Sequence, residues 1–349
     1  MSSCPILPSK SKRRKDQEKA GDGLSRSISR RESTTSRILK EGVYIPLPTF
    51  FFKDTENLDE LTISRHAVRM ARARVTGLIV NDLMYGEGAH LSRDDRGIVT
   101  RTVRHAIVRA GFLQIPIIVS CGAPSARETI ELCHDAHASG GSYALVGAPA
   151  IYKHYYDTRC IAAFFVDVAN SSPLPILVDT RPQDDVVVRG TVGGDASALA
   201  TDELIHLVTG HPNIAGCRLS RTEMARATRM AQATTTAGLA CLGESAGSTL
   251  QTLIGGCGGV VAGMGNLAPR TCVRLIELYH RGKEEEARKL QAVVARAEET
   301  EAAFGIAGMK SNLQRHLSYG GLPRRPLAFV DGGSPGVEEM MAVENCLVL

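Results

Sequence analysis

From Gly42 onward the chain alternates short apolar runs with amphipathic stretches of 10 to 17 residues, the pattern of repeated strand-helix units feeding a parallel sheet. Eight runs read as strands: Val43–Leu47, Gly77–Asp82, Pro116–Cys121, Tyr143–Ala148, Leu174–Asp179, Asn213–Arg218, Gly238–Gly243 and Gly259–Gly263. Helical patterns follow each of them, near 59–75, 94–110, 125–138, 156–170, 201–209, 221–234, 247–254 and 268–281, several opening on a serine suited to capping, such as Ser92, Ser125 or Ser220. Eight such units predict an α/β fold, a closed (β/α)8 TIM barrel. An open doubly wound sheet would want a glycine-rich turn after its first strand, and Val43–Phe52 has none. Two more helical patterns, near 284–303 and 307–319, are expected to pack outside the barrel. The predicted organisation is thus a disordered basic tail over 1–41, the barrel over 42–283, a helical extension over 284–330 and a flexible tail over 331–349.

Composition narrows the classes. With 349 residues, 43% hydrophobic and 22% charged, the chain can bury a substantial core. It has no run near the roughly 18 apolar residues a membrane helix needs, and no apolar signal core at its start. The nine cysteines are scattered without CxxC pairs, which reads as reduced thiols in a cytoplasmic protein rather than a zinc site or disulfide framework. The net charge of +4 divides unevenly: residues 1–41 hold 11 Lys/Arg against 5 Asp/Glu, a surplus of +6, so the remainder carries −2. No nucleic-acid surface is implied by so neutral a body without Trp. Within the basic tail, Lys10–Lys15 reads as a nuclear-localisation run or, with Arg30-Arg31-Glu32-Ser33 as a kinase site, simply as solvated chain. The last residues, Cys346-Leu-Val-Leu349, fit a prenylation pattern, and membrane association is expected only if Cys346 is prenylated, since no basic cluster supplies a second anchor.

Candidate chemistry emerges from motifs. The first strand ends Pro46-Leu-Pro-Thr49-Phe-Phe; Gly86-Glu87 and Ala89-His90-Leu91-Ser92 follow the second; Ser125-Ala-Arg127-Glu128-Thr129 opens the third helix. Pro149 and Tyr152 follow strand four, Gly216-Cys-Arg218-Leu-Ser220 lies on strand six, and Gly305-Ile-Ala-Gly-Met-Lys310 and Pro323-Arg-Arg-Pro326-Leu come later. Over roughly 42–330 these segments, in this order, resemble the dihydrodipicolinate synthase/N-acetylneuraminate lyase family of pyruvate aldolases, particularly its fungal-type members. The resemblance implies a TIM barrel, a small 2-oxo acid as substrate, no cofactor, and a homo-oligomer, dimer or tetramer.

It also implies a lysine on strand six that condenses with the substrate ketone, and here that position is Arg218. A guanidinium with a pKa above about 12 leaves fewer than roughly one molecule in 10^5 neutral at pH 7, so imine formation is closed to it. The family's fifth-strand tyrosine aligns with Asp179, its carboxylate-binding loop with Leu83-Met84-Tyr85-Gly86-Glu87, and the first tyrosine after strand four with Ile151. Lys153 and Lys310 are not expected to project into the barrel mouth.

Adjacent strands would bring Asp179 and Arg218 to the same C-terminal rim, where barrel active sites lie. In one reading Arg218 clamps a carboxylate or enolate oxygen while Asp179 moves a proton; in the other they form an ion pair that closes the pocket. Thr49, Tyr85, Gly86, Glu87, Tyr152 and Glu244 are the candidate substrate-binding residues. Three functions remain open: a lyase of aldolase type working without a Schiff base on a small oxo or carboxylic acid, a catalytically inactive protein with a structural or regulatory role, and a residual class I aldolase using another lysine.

Overall fold

The structure, a computed structural model, describes residues 38–181 and 199–347. The basic run, the serine at the kinase motif and most of the predicted tail lie outside the described residues, as do Val348 and Leu349.

The eight strands are β1 (Gly42–Pro46), β2 (Gly77–Val80), β3 (Ile117–Ser120), β4 (Tyr143–Gly147), β5 (Ile176–Asp179), β6 (Ile214–Leu219), β7 (Ala240–Glu244) and β8 (Gly259–Val261). They pair in parallel in sequence order and β8 closes on β1, giving the TIM barrel the alternation predicts. The helices that follow them are α1 (Glu60–Arg72), α2 (Arg93–Arg109), α3 (Ala126–Ala138), α4 (Thr158–Ser171), α5 (Thr201–Gly210), α6 (Met224–Thr236), α7 (Thr249–Ile254) and α8 (Pro269–His280). Ser92 and Ser125 cap α2 and α3 as expected. Ser220 does not cap α6, which starts four residues later at Met224.

Strand residues are apolar on both faces because both faces are covered. One layer of side chains, including Tyr44, Ile79, Ile118, Leu145, Leu177, Ala215, Leu242 and Val261, fills the barrel, one from each strand. Their neighbours along each strand, such as Val43, Leu78, Val119, Val178 and Leu219, face the helices.

One irregularity decides the chemistry. Between β5 and β6 the register shifts, so that Ile176 pairs with Ile214 but Leu177 pairs with Gly216. An extra residue in one strand reverses the side-chain alternation beyond it. Ala215 therefore faces the interior, Cys217 and Leu219 face the helices, and Arg218 turns inward opposite Asp179. Gly216 is required at this point: its φ is +146°, and a Cβ there would lie 2.0 Å from the Ala240 carbonyl oxygen.

Beyond the barrel come α9 (Glu284–Glu301), α10 (Gly305–Leu317) and α11 (Pro335–Cys346). The last of these corrects the expectation of a loose tail over 331–349. Ser334 caps it, Val337, Met340 and Met341 are buried, and it packs against α9 and α8. Cys346 is exposed at its end. No helix among the described residues is long and apolar enough to cross a membrane.

Candidate active site

At the C-terminal rim of the barrel, five charged side chains from four strand ends form one network. Arg218 on β6 is 1% exposed. Its Nε donates to Asp179 Oδ1 at 3.1 Å, its Nη2 donates to Asp179 Oδ2, and its Nη1 donates to Asp82 Oδ2 at 3.0 Å. Every guanidinium nitrogen is thus committed to a carboxylate within the chain. Sequence reasoning brought Asp179 and Arg218 together, and the structure does so, but it adds two members that reasoning missed.

The first is Asp82, fully buried just past the end of β2. Its Oδ1 accepts the Met84 and Tyr85 backbone N–H groups at 3.0 and 3.2 Å, an aspartate turn, while its Oδ2 accepts from both Arg218 and Arg181. The second is Arg181, two residues beyond Asp179 and 9% exposed at its side chain. Its Nη2 donates to Asp82 Oδ2 at 2.8 Å and more weakly to Asp179 Oδ2 at 3.4 Å, and its Nη1 donates to Glu244 Oε1 at 3.1 Å. Its Nε is buried and has no hydrogen-bond partner among the described residues. The available signal for Asp82 was its position as the last residue of a predicted strand, on the rim that carries barrel chemistry. Arg181 lay in a loop, where spacing carries no such information.

Among the described residues, two guanidinium groups hydrogen-bond three carboxylates, and Arg221 adds a further positive charge near Glu244. Burial pushes Asp179 up to about 6 and Glu244 up to about 7; in each case Arg181 opposes the rise and the neighbouring carboxylates reinforce it. Glu244, the least enclosed member, can therefore exchange a proton near neutral pH.

The turn after Glu244 is fixed from outside the barrel. Ser245 has φ +104°, and Glu298 of α9 accepts from its hydroxyl and from the Ala246 and Gly247 N–H groups at 3.0 and 2.8 Å. Beside Glu298 lies Glu301, 1% exposed, with an Oε1 that has no hydrogen-bond partner among the described residues and a pKa pushed up to about 8 by burial.

The remaining predicted residues separate. Thr49 donates its hydroxyl to the Gly86 carbonyl at 2.7 Å and is buried, tying the end of β1 to the β2 turn. Gly86 is there because a Cβ would sit 2.6 Å from the Asp82 nitrogen. Glu87 is withdrawn from any pocket: it forms a buried ion pair with Lys310 of α10 and accepts the Arg324 N–H at 2.8 Å, which corrects its assignment to substrate. Lys310 is fully buried in that pair, 4.5 Å from the Phe51 ring centroid, and lies away from the network, as the sequence implied. Tyr152, 59% exposed, stands on the surface after β4. Tyr85 faces the rim, with its ring against Gly263 beyond β8. Among the described residues, no group of three or more His, Cys, Asp or Glu side chains is placed to hold a metal ion.

Over 89% of its length the chain is 40% identical to a protein of Emericella nidulans named "probable 4-hydroxy-2-oxoglutarate aldolase, mitochondrial", covering 94% of that relative. It is 37% identical to the L-threo-3-deoxy-hexylosonate aldolase of Hypocrea jecorina, across 88% of this chain and 98% of the other. A crystal structure of a dihydrodipicolinate synthase family protein from Coccidioides immitis superposes with a TM-score of 0.75 at 26% identity, over 89% of this chain and 99% of that one. The Emericella relative is named as mitochondrial, which overturns the expectation of a cytoplasmic protein. Residues 42–331 match the model of the dihydrodipicolinate synthetase family, and the chain, an aldolase-like TIM barrel, belongs to that family.

Proposed function

We propose that this chain is an aldolase-type lyase that cleaves the bond between C3 and C4 of a 4-hydroxy-2-oxo acid without forming an imine. The observation that carries the reading is the pairing at the rim of Arg181, whose buried Nε has no partner among the described residues, with Glu244, whose pKa stands near 7. A guanidinium suits a carboxylate or an enolate oxygen, and a carboxyl near neutrality suits a proton that must leave and return. The names of the Emericella and Hypocrea relatives supply the substrate class.

In the proposed step, Glu244 takes the proton of the 4-hydroxyl as the C3–C4 bond breaks. An aldehyde leaves, and the electron pair passes into an enolate whose C2 oxygen is held by Arg181. Glu244 then returns its proton to C3, releasing the 2-oxo acid. Arg218 is a positioning residue in this scheme. Saturated by Asp179 and Asp82, it holds both carboxylates where Arg181 needs them.

The test is release of pyruvate from 4-hydroxy-2-oxoglutarate, followed by proton NMR with and without borohydride. Turnover by the wild type, no reduced adduct on any lysine, and a loss of about 10^2- to 10^4-fold in kcat for E244Q are expected. A pyruvyl adduct would overturn the imine-free route. A second reading, a barrel kept for structure or regulation, is favoured by the saturation of Arg218. It requires no turnover and no thermal shift with any 2-oxo acid.

A further inference from the structure

We propose that the Tyr85 hydroxyl is a catalytic hydrogen-bond donor to the C2 oxygen of the substrate as it becomes an enolate. The proposal rests on the aldolase reading and adds a residue to it. Where the family resemblance implies a phenol on strand five, this chain has Asp179, yet the rim is not without one.

Tyr85 enters from the opposite side, from the turn after β2. Its backbone N–H is fixed by Asp82, the same carboxylate that holds Arg181 and Arg218, so the turn and the two guanidinium groups are set by one side chain. The ring lies against the backbone beyond β8 at Gly263. A Cβ at that position would fall 2.1 Å from Tyr85 Oη and Cζ, so the glycine makes the space the phenol occupies.

The hydroxyl itself has no hydrogen-bond partner among the described residues. A half-buried phenol without a partner among the described residues is an open donor, as Arg181 Nε is on the same rim. Burial, reinforced by the negative charges of Glu301, Glu298, Glu244 and Asp82, holds it well above its ordinary pKa. It therefore stays protonated and donates without giving up its proton. The atom balance of the proposed cleavage is unchanged: the O–H shortens its contact to the developing oxyanion, and the transferred proton remains that of Glu244.

The experiment compares the wild type with Y85F, which keeps the ring over Gly263 and is checked for an unchanged far-UV CD spectrum. Turnover of 4-hydroxy-2-oxoglutarate is measured alongside carbon NMR of protein labelled at tyrosine Cζ, with oxalate as a mimic of the enolate. The Tyr85 resonance is the one that Y85F removes. A fall of roughly 10^2- to 10^3-fold in kcat with little change in KM is expected, together with a shift of the Tyr85 signal when oxalate is added. Equal kcat in the two proteins overturns the donor while the aldolase reading stands. If the wild type is inactive, the aldolase reading falls, and the resonance decides the rest: movement with oxalate keeps Tyr85 as the anion's donor, and a fixed signal overturns it.

Discussion

Arginine at position 218 offers no nucleophilic amine and draws carboxylates around itself. Asp82 and Asp179 grip it from two directions, and the same pair would grip an ammonium. Opposite charges at such distances favour the protonated amine. R218K is accordingly expected to remain unreactive: intact mass after pyruvate and borohydride at pH 7 should show no adduct. Truncation, R218A, leaves two buried carboxylates facing each other and is expected to cost about 3–5 kcal/mol in chemical denaturation. Asp179, Glu244 and Glu301 all make stability fall as pH rises, and Glu301 does so to the highest pH. Its pKa is raised from 4.5 to about 8 in the folded state, so its contribution to stability is fully present below about 4.5 and is lost as pH rises through about 8. Between those limits the slope is about 1.4 kcal/mol per pH unit. E301Q should flatten the fall in denaturation midpoint between pH 5.5 and 8.5 relative to the wild type. Of the network, Arg218 and Asp179 were legible because the resemblance aligns them with a strand-six lysine and a strand-five tyrosine, whereas Asp82 ends a predicted strand without any motif to single it out. Arg181 was not, since a loop residue carries no periodicity, and Glu87 was misread because its partner, Lys310, lies more than 200 positions away along the chain.

The elements were legible wherever hydrophobic spacing was clean. All eight strands fall where the apolar runs lie, with ends displaced by a residue or two, because pairing rather than composition ends a strand. The register shift at Leu177 had no sequence signal apart from a glycine, since it depends on which strand becomes the neighbour. Helix α11 was missed for a different reason. Val337, Met340, Met341 and Glu344 recur at helical spacing, but Gly332, Gly333 and the surrounding glutamates suggest a solvated tail. Glu344 is the informative member. It accepts from Thr271 N and Oγ1, both at 2.8 Å, and from Arg270 Nε at 3.0 Å, so α11 supplies the side-chain cap that the start of α8 lacks. E344A is expected to lower stability by about 2 kcal/mol. A chain ending at Asp331 should melt lower still, because three buried apolar side chains, each worth about 1.5–3 kcal/mol, go with it.

At the scale of the molecule, the barrel is a ring whose last seam joins β8 to β1, with Gly42 opposite Gly259. A Cβ on Gly259 would meet the Gly42 carbonyl oxygen at 2.4 Å, and that oxygen belongs to backbone that cannot swing aside. G259A should therefore weaken closure by about 3 kcal/mol, read as a lower denaturation midpoint, with little local remedy. Lys310 reports on the same integrity from the other direction. Burial lowers its pKa to about 8, which would ordinarily make it a preferred target for acylating reagents, yet the Glu87 carboxylate, the Phe51 ring and the Leu322 carbonyl enclose it. At pH 8 an acyl ester should modify the surface lysines within minutes and spare this one, so the rate at which Lys310 is tagged becomes a clock for how often the whole ring comes apart.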